Sequence, residues 1–265
     1  MSDGGIRGMR AAGADLFDVA EALTAEQWNL ASAAVGWTVK DVFIHLGSLL
    51  EFLQLAIGGA DVPPLGIERL NDQAVASRRD WSSEHVLAVL RDQLDSAIAT
   101  FTPLQLEPVA STAIPLLDLG VYPLHAVTDM FTFDMTTHLR YDVLAPRGPV
   151  DVDAPALDET RLSPAVAWLI GGLSQMQPDL TDHLLAPISL RLTGPGERRI
   201  LVEPGEGALR VSETDDADAR PVATVTSTAD DFLAWSTQRL PWSELVDIDG
   251  DRDIARRFLD AVNLV

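Results

Sequence analysis

The sequence contains no cysteine. Disulfides and thiolate metal ligands are thereby excluded, and any sulfur nucleophile has to arrive on a substrate or cofactor. Positive charge is also scarce: 19 Lys and Arg stand against 40 Asp and Glu, for a formal net charge of −21. Such a chain repels a phosphate backbone unless its bases are gathered into a patch. The densest basic spots are only the pairs Arg78-Arg79, Arg198-Arg199 and Arg256-Arg257, so no nucleic-acid partner is expected. No apolar run approaches the roughly 18 residues of a membrane span, and the N-terminus shows no basic-then-apolar leader. A cytoplasmic protein with no membrane partner is the expectation.

Apolar residues make up 47% of the 265 positions, enough for the cores of one large domain or two ordinary ones. The excess of acid runs through both halves, which favours solubility over an acidic tail. Up to Leu144 the pattern is helical. Apolar residues recur at helical spacing over Arg7 to Leu23. A second helix is expected from Thr38, with Asp41 as its capping-box partner, to Gly58-Gly59. A short helix follows around Arg69 to Arg79, and a third long one covers Ser83 to Phe101. The stretch Thr102 to Gly120 reads as a crossing loop, and a fourth long helix fits Tyr122 to Val143, with Pro123 in its first turn. Four long amphipathic segments predict a four-helix bundle.

The texture then changes. Ala145-Pro146-Arg147-Gly148-Pro149 reads as a linker, dividing a helical domain (1–149) from a second domain (150–265). In the second, a helix is expected from Pro164 to about Gln175. Alternating runs at Ile188 to Leu192, Arg199 to Val202, Ala208 to Val211 and Val222 to Thr226 predict antiparallel strands. Helices at Ala229 to Ser236 and Asp251 to Val262 complete a smaller α+β domain, so the fold class is α+β in two domains.

Histidine is sparse: His45, His85, His125, His138 and His183. In the fourth helix Asp134 and His138 are four apart, on one face and a turn apart. His45 lies mid-helix near an apolar face. Together the three form a set of two imidazoles and one carboxylate, with positions left open on zinc, nickel or ferrous iron. The same residues also fit a surface ion pair plus a satisfied core histidine, and His125/Asp129 repeats the spacing in the same helix.

The run Gly36-Trp37-Thr38-Val39-Lys40-Asp41-Val42-Phe43-Ile44-His45-Leu46 resembles the signature of the mycothiol-dependent maleylpyruvate isomerase family, in which Trp-Thr opens helix two of a DinB-like bundle and His-Leu follows. Leu23-Thr24-Ala25-Glu26-Gln27-Trp28 is similar to the family's connection before that helix, and Asn71-Asp72 with Ala76-Ser77-Arg78-Arg79 to its short helix. The resemblance is general in the C-terminal half, where the family has a sterol-carrier-like domain. It implies that His45, Asp134 and His138 bind a divalent metal, zinc by the family pattern. Two departures stand out. Asp134 replaces the family's Glu, and the acid that often follows the family His by three residues is here Asp142, four on.

The resemblance also implies a metal-dependent transferase or isomerase in which an open site activates a thiol, mycothiol, or water toward an electrophilic small molecule, in a monomer or homodimer. The competing expectation is a non-catalytic small-molecule or lipid carrier with a structural or vestigial metal site. Trp37 reads first as a bundle-core aromatic and second as a pocket wall. His125 has the same two readings, structural first. Arg239 resembles an anion-binding arginine place in the family's C-terminal domain, against the simpler reading of a surface arginine. Asp249-Gly250-Asp251 reads as a turn with a helix N-cap.

Overall fold

Thr38 starts the helix around which the N-terminal half is assembled. In the computed structural model, which describes residues 4–214 and 220–264, its hydroxyl accepts the Asp41 N–H at 3.1 Å, and the Asp41 carboxylate accepts the Thr38 N–H at 3.0 Å. This reciprocal cap satisfies two donors that a helix start otherwise leaves unpaired. The helix, α3 (Val39–Ile57), follows two others, α1 (Gly4–Ala22) and the single turn α2 (Ala25–Trp28). Val42, Phe43, Ile44, Leu46, Leu49 and Leu50 are buried on several sides of α3, the pattern of a helix enclosed by neighbours. α4 (Ile67–Ala76) and α5 (Ser83–Phe101) pack against it.

α1 pairs with α6 (Ala126–Thr137). The two approach closely at Gly5, where a Cβ would collide with the Thr128 side chain, and the Thr132 hydroxyl donates to the Gly5 carbonyl at 3.2 Å. Met9, Leu16, Phe43, Leu50, Leu90, Phe101, Phe131 and Met135 fill the core between these helices.

The fourth long helix starts later than its periodicity predicts. Two three-residue strands, β1 (Ala113–Pro115) and β2 (Val121–Pro123), occupy the connection before it. The Leu124 and His125 N–H groups donate to the carbonyls of Thr112 and Ala110, at 2.8 and 3.1 Å, so tertiary partners take the donors a first helical turn would leave open. At the other end α6 widens into a π-helical turn, His138–Val143, seen in the Leu144 N–H bond to the Leu139 carbonyl five residues back.

The chain divides into two compact units, one of Met1–Asp118 with Tyr122–Ala156 and one of Leu119–Val121 with Leu157–Val265. In the second, α7 (Glu159–Gly172) is capped by Asp158, starts five residues before the expected Pro164, and tolerates that proline inside it. The sheet has the order β5-β4-β3-β6-β7, with β3 (Ile188–Thr193), β4 (Arg198–Glu203), β5 (Arg210–Glu213), β6 (Ala223–Thr228) and β7 (Asp247–Gly250). Three of its pairings are antiparallel, but the central β3 and β6 run parallel, Leu190 opposite Val225. This corrects the wholly antiparallel expectation: after the β3-β4-β5 meander the chain returns to the free edge of β3 in the same direction. α8 (Ala229–Ser236) and α9 (Arg252–Leu259) pack on β6, burying Phe232, Trp235 and Phe258. Asp251 caps α9, as the turn reading of Asp249-Gly250-Asp251 expects.

Candidate metal centre

α3 and α6 bring His45, Asp134 and His138 together, with one ligand atom from each lying within 4.8 Å of the others. Asp134 sits between the two imidazoles. One of its oxygens is 3.2 Å from His45 Nε2, and the other is 3.4 Å from His138 Nε2. His45 is 2% exposed. Both of its ring nitrogens and Asp134 Oδ2 are buried with no well-formed hydrogen bond. Native interiors rarely leave such atoms unsatisfied, and a cation beside Asp134 would satisfy His45 Nε2 and Asp134 Oδ2. The donor set, two imidazoles and one carboxylate, is the kind that holds an open-site divalent ion.

Behind His138 lies a partner that the sequence showed only as a departure from the family pattern. His138 Nδ1 is 2.8 Å from Asp142 Oδ2. Asp142 is 1% exposed and its other oxygen accepts from Arg147, a residue of the expected linker. With Nδ1–H held by a carboxylate, Nε2 is the nitrogen presented toward Asp134 and His45. Burial works against the charged form of His138, but its hydrogen bonds and the charges of Asp134 and Asp142 outweigh this and push its pKa up to about 9. Burial likewise opposes ionisation of Asp134, and the adjacent His45 and His138 reverse it, holding the carboxyl well below its ordinary value.

Trp37 is a wall of this centre more than a core residue. Its half-buried ring lies 5.0 Å from that of His45 and stacks at 6.3 Å from that of His138. Its indole N–H donates to Asp72 on α4 at 3.1 Å. The loop that carries it is tied down twice: the Ala33 N–H donates to the Asp142 carbonyl at 2.9 Å, and Arg79 donates to the Gly36 carbonyl at 3.0 Å. Gly36, at φ +84, makes the left-handed bend before Trp37.

The other candidates fall elsewhere. His125 caps the start of α6, with Nδ1 3.0 Å from the Ala110 carbonyl oxygen. That bond fits its structural reading, and His125 is not among the three clustered ligands. His85 is exposed, stacked edge-on against Trp81 at 4.5 Å. Arg239 lies half-buried in the turn after α8, its N–H bonded to the Ala234 carbonyl at 2.9 Å. The roles of Asp142, Arg147 and Asp72 were not read from the sequence. The one visible signal was the four-residue spacing of His138 and Asp142.

Comparison with known proteins concerns the domain and the fold. The sequence profile of the family described as mycothiol maleylpyruvate isomerase N-terminal domain matches residues 9–139. Two crystal structures, of the mycothiol-dependent maleylpyruvate isomerase and of a histidine-to-alanine mutant of it, share the fold. They superpose with TM-scores of 0.58 and 0.57 at 14% and 13% identity, covering 93% of this chain and 92% of theirs. No protein of curated function matches the sequence. Among the described residues no helix is long and apolar enough to cross a membrane. The profile match over α1 to α6 shows that the N-terminal half belongs to the family of mycothiol maleylpyruvate isomerase N-terminal domains, and the fold of the two crystal structures extends along nearly the whole chain.

Proposed function

We propose that the protein is a metal-dependent enzyme of the thiol-using type, a transferase or isomerase that takes mycothiol and an electrophilic small molecule. The observation that carries this reading is the convergence of His45, Asp134 and His138, with His45 Nε2 and Asp134 Oδ2 buried and without a well-formed hydrogen bond. Membership of a family whose crystallised relatives are mycothiol-dependent supports the choice of thiol. So does the absence of any cysteine in the chain, which leaves the sulfur to an external molecule.

His45 Nε2, Asp134 and His138 Nε2 would hold a divalent ion, with zinc the best match to two imidazoles and a carboxylate. Bound there, the ion would supply a Lewis-acidic position that lowers the pKa of a thiol or water. The chain's own residues do the rest. Asp142 fixes the His138 ring and its tautomer, and Arg147 fixes Asp142. Trp37 shields one side of the centre from water, which strengthens the electrostatics inside.

The test combines metal analysis with a cobalt spectrum. Protein prepared without a His-tag should contain about one divalent ion per chain, and His45→Ala or His138→Ala should lose most of it. In cobalt-substituted protein, mycothiol should add a thiolate charge-transfer band that is missing in the His45→Ala variant. Full metal retention in both variants would sink the site, and an unaltered spectrum at millimolar mycothiol and pH 8 would sink the thiol chemistry.

A further inference from the structure

Arg191 on β3 and Arg199 on β4 stand directly opposite each other in the sheet register. Both are exposed on the face away from the buried Leu190, Leu192 and Ile200, with Cβ atoms about 5 Å apart by the geometry of such a pair. Like charges so placed destabilise a sheet. Neither arginine forms an ion pair among the described residues, although the chain holds 40 acids against 19 bases. The other two arginines of these strands are matched. Arg198 Nε lies 3.5 Å from Glu213 and a terminal nitrogen donates to Ser163 at 2.7 Å, while Arg210 lies 3.4 Å from Glu203.

The opposed pair is flanked by hydroxyls. Thr226 stands opposite Arg191 on β6. On the other side the Thr214 N–H donates to the Arg199 carbonyl at 3.1 Å, one step beyond the Ile200–Glu213 pair, which sets Thr214 beside Arg199. Arg191, Arg199, Thr193 and Thr214 line a groove of about 600 Å³, together with Glu197 and the matched Arg198 and Glu213. That volume suits a small organic ligand. All these residues belong to the second compact unit, so the groove uses no residue of the metal centre.

A guanidinium fork takes two oxygens of one oxyanion. A single carboxylate is saturated by one such fork. A phosphate dianion has three terminal oxygens and close to two charges, enough for both arginines and a threonine hydroxyl. Among the described residues no aromatic ring lines the groove, so nothing there stacks on a nucleobase. Glu197, which forms no ion pair among the described residues, can accept from alcohol hydroxyls.

We propose that this groove is a phosphate site, in which Arg191 and Arg199 clamp the dianion of a small hydroxylated phosphate monoester or of free phosphate. Binding neutralises the opposed charges that the empty sheet face has to hold apart. The site is independent of the metal–thiol reading and gives the second unit a ligand of its own.

Phosphorus NMR of the full chain at pH 8 and constant ionic strength, with glycerol 3-phosphate and separately with inorganic phosphate, tests this. The parent should show saturable binding. Tighter binding of the ester assigns the groove to a monoester, equal binding assigns it to free phosphate, and both uphold the site. Arg191→Gln and Arg199→Gln should each weaken binding about tenfold, the low end for a hydrogen bond to a charged group. Without ligand, both variants should melt no lower than the parent, because each relieves the like-charge pair. Arg210→Gln removes the same charge from a matched arginine of the sheet and should bind as the parent does, as should His45→Ala. Absence of saturable binding at millimolar phosphate, or equal losses in Arg210→Gln, would overturn the proposal. So would binding lost in His45→Ala, which would place the anion at the metal centre. Binding gained only when Asp215, Asp216 and Asp218, which follow Thr214 in sequence, are changed to Asn would overturn it too, by making the chain's own acids the partner.

Discussion

His138 presents one ring nitrogen to Asp134 and the other, at 2.8 Å, to Asp142. The pair is four residues apart across a π-helical turn, a geometry that recurs where a helix has been widened at a functional site. Carboxylates that orient a ligating imidazole affect metal affinity without touching the metal.

Asp142→Asn should therefore weaken zinc binding by about 10- to 100-fold, read by competition with a chromophoric chelator. The substitution keeps the shape but removes the charge that Arg147 neutralises and that favours a basic His138. Unchanged zinc affinity would reduce Asp142 to a packing residue.

The metal-free protein should show its own pH signature. His138 has its pKa raised from 6.5 to about 9, so its contribution to stability is complete below 6.5 and is lost as pH climbs through 9. Asp134 is shifted the other way, from 3.8 downward, so its contribution is complete above 3.8 and is lost as pH falls below that value. Thermal midpoints of metal-free protein should thus be highest between these limits and decline from pH 7 to 10. The His138→Gln variant should lack that alkaline decline. At pH 7 an incoming ion meets a protonated His138, so binding should release about one proton, seen as a calorimetric heat that depends on the buffer. A buffer-independent heat would show that His138 is not displaced.

Much of the site was legible because its residues obey local rules. Thr38 and Asp41 read as a capping box, and that alone puts His45 mid-helix. Asp134 and His138 read as one face by spacing. What escaped depends on contacts between distant parts of the chain. Trp37 reads as a core residue because nothing local reveals Asp72, 35 positions on, holding its indole outward over the histidines. Arg147 reads as linker because its partner Asp142 is visible only once the turn has widened. In the second unit, alternation predicts that β3 and β6 are strands, but periodicity carries no direction, and their parallel pairing depends on the path of the returning chain. The late start of α6, after Tyr122-Pro123, was hidden for the same reason: the donors of Leu124 and His125 are spent on Thr112 and Ala110.

The helix cap offers a control that separates stability from chemistry. Thr38→Ala removes the hydroxyl that accepts the Asp41 N–H and should cost about 1 kcal/mol, within the range of 0.5–2 for such caps. Denaturant unfolding should show that loss with an unchanged slope. One zinc per chain should remain, because the cap lies nearly two turns before His45. Loss of metal at full stability would place the Trp37-Thr38 loop in the binding site itself.

Asp134 is the most specific test of the centre, because its two oxygens address different histidines, at 3.2 and 3.4 Å. A carboxylate in that position compensates two imidazoles when the ion is absent, and it contributes negative charge when the ion is present. Asp134→Asn retains the shape and removes the charge, so zinc affinity should fall by more than about tenfold. The same change should lower the His138 pKa, since one of its two carboxylate partners is gone, and this can be followed by NMR titration of the ring in metal-free protein. Asp134→Glu restores the side chain of the family pattern, lengthens the reach by one methylene, and should keep one zinc per chain. If the Asn variant binds zinc as tightly as the parent, the carboxylate is an ion-pair partner of His138 and not a ligand. The centre would then be left with two imidazoles, too few to hold a divalent ion against a chelator.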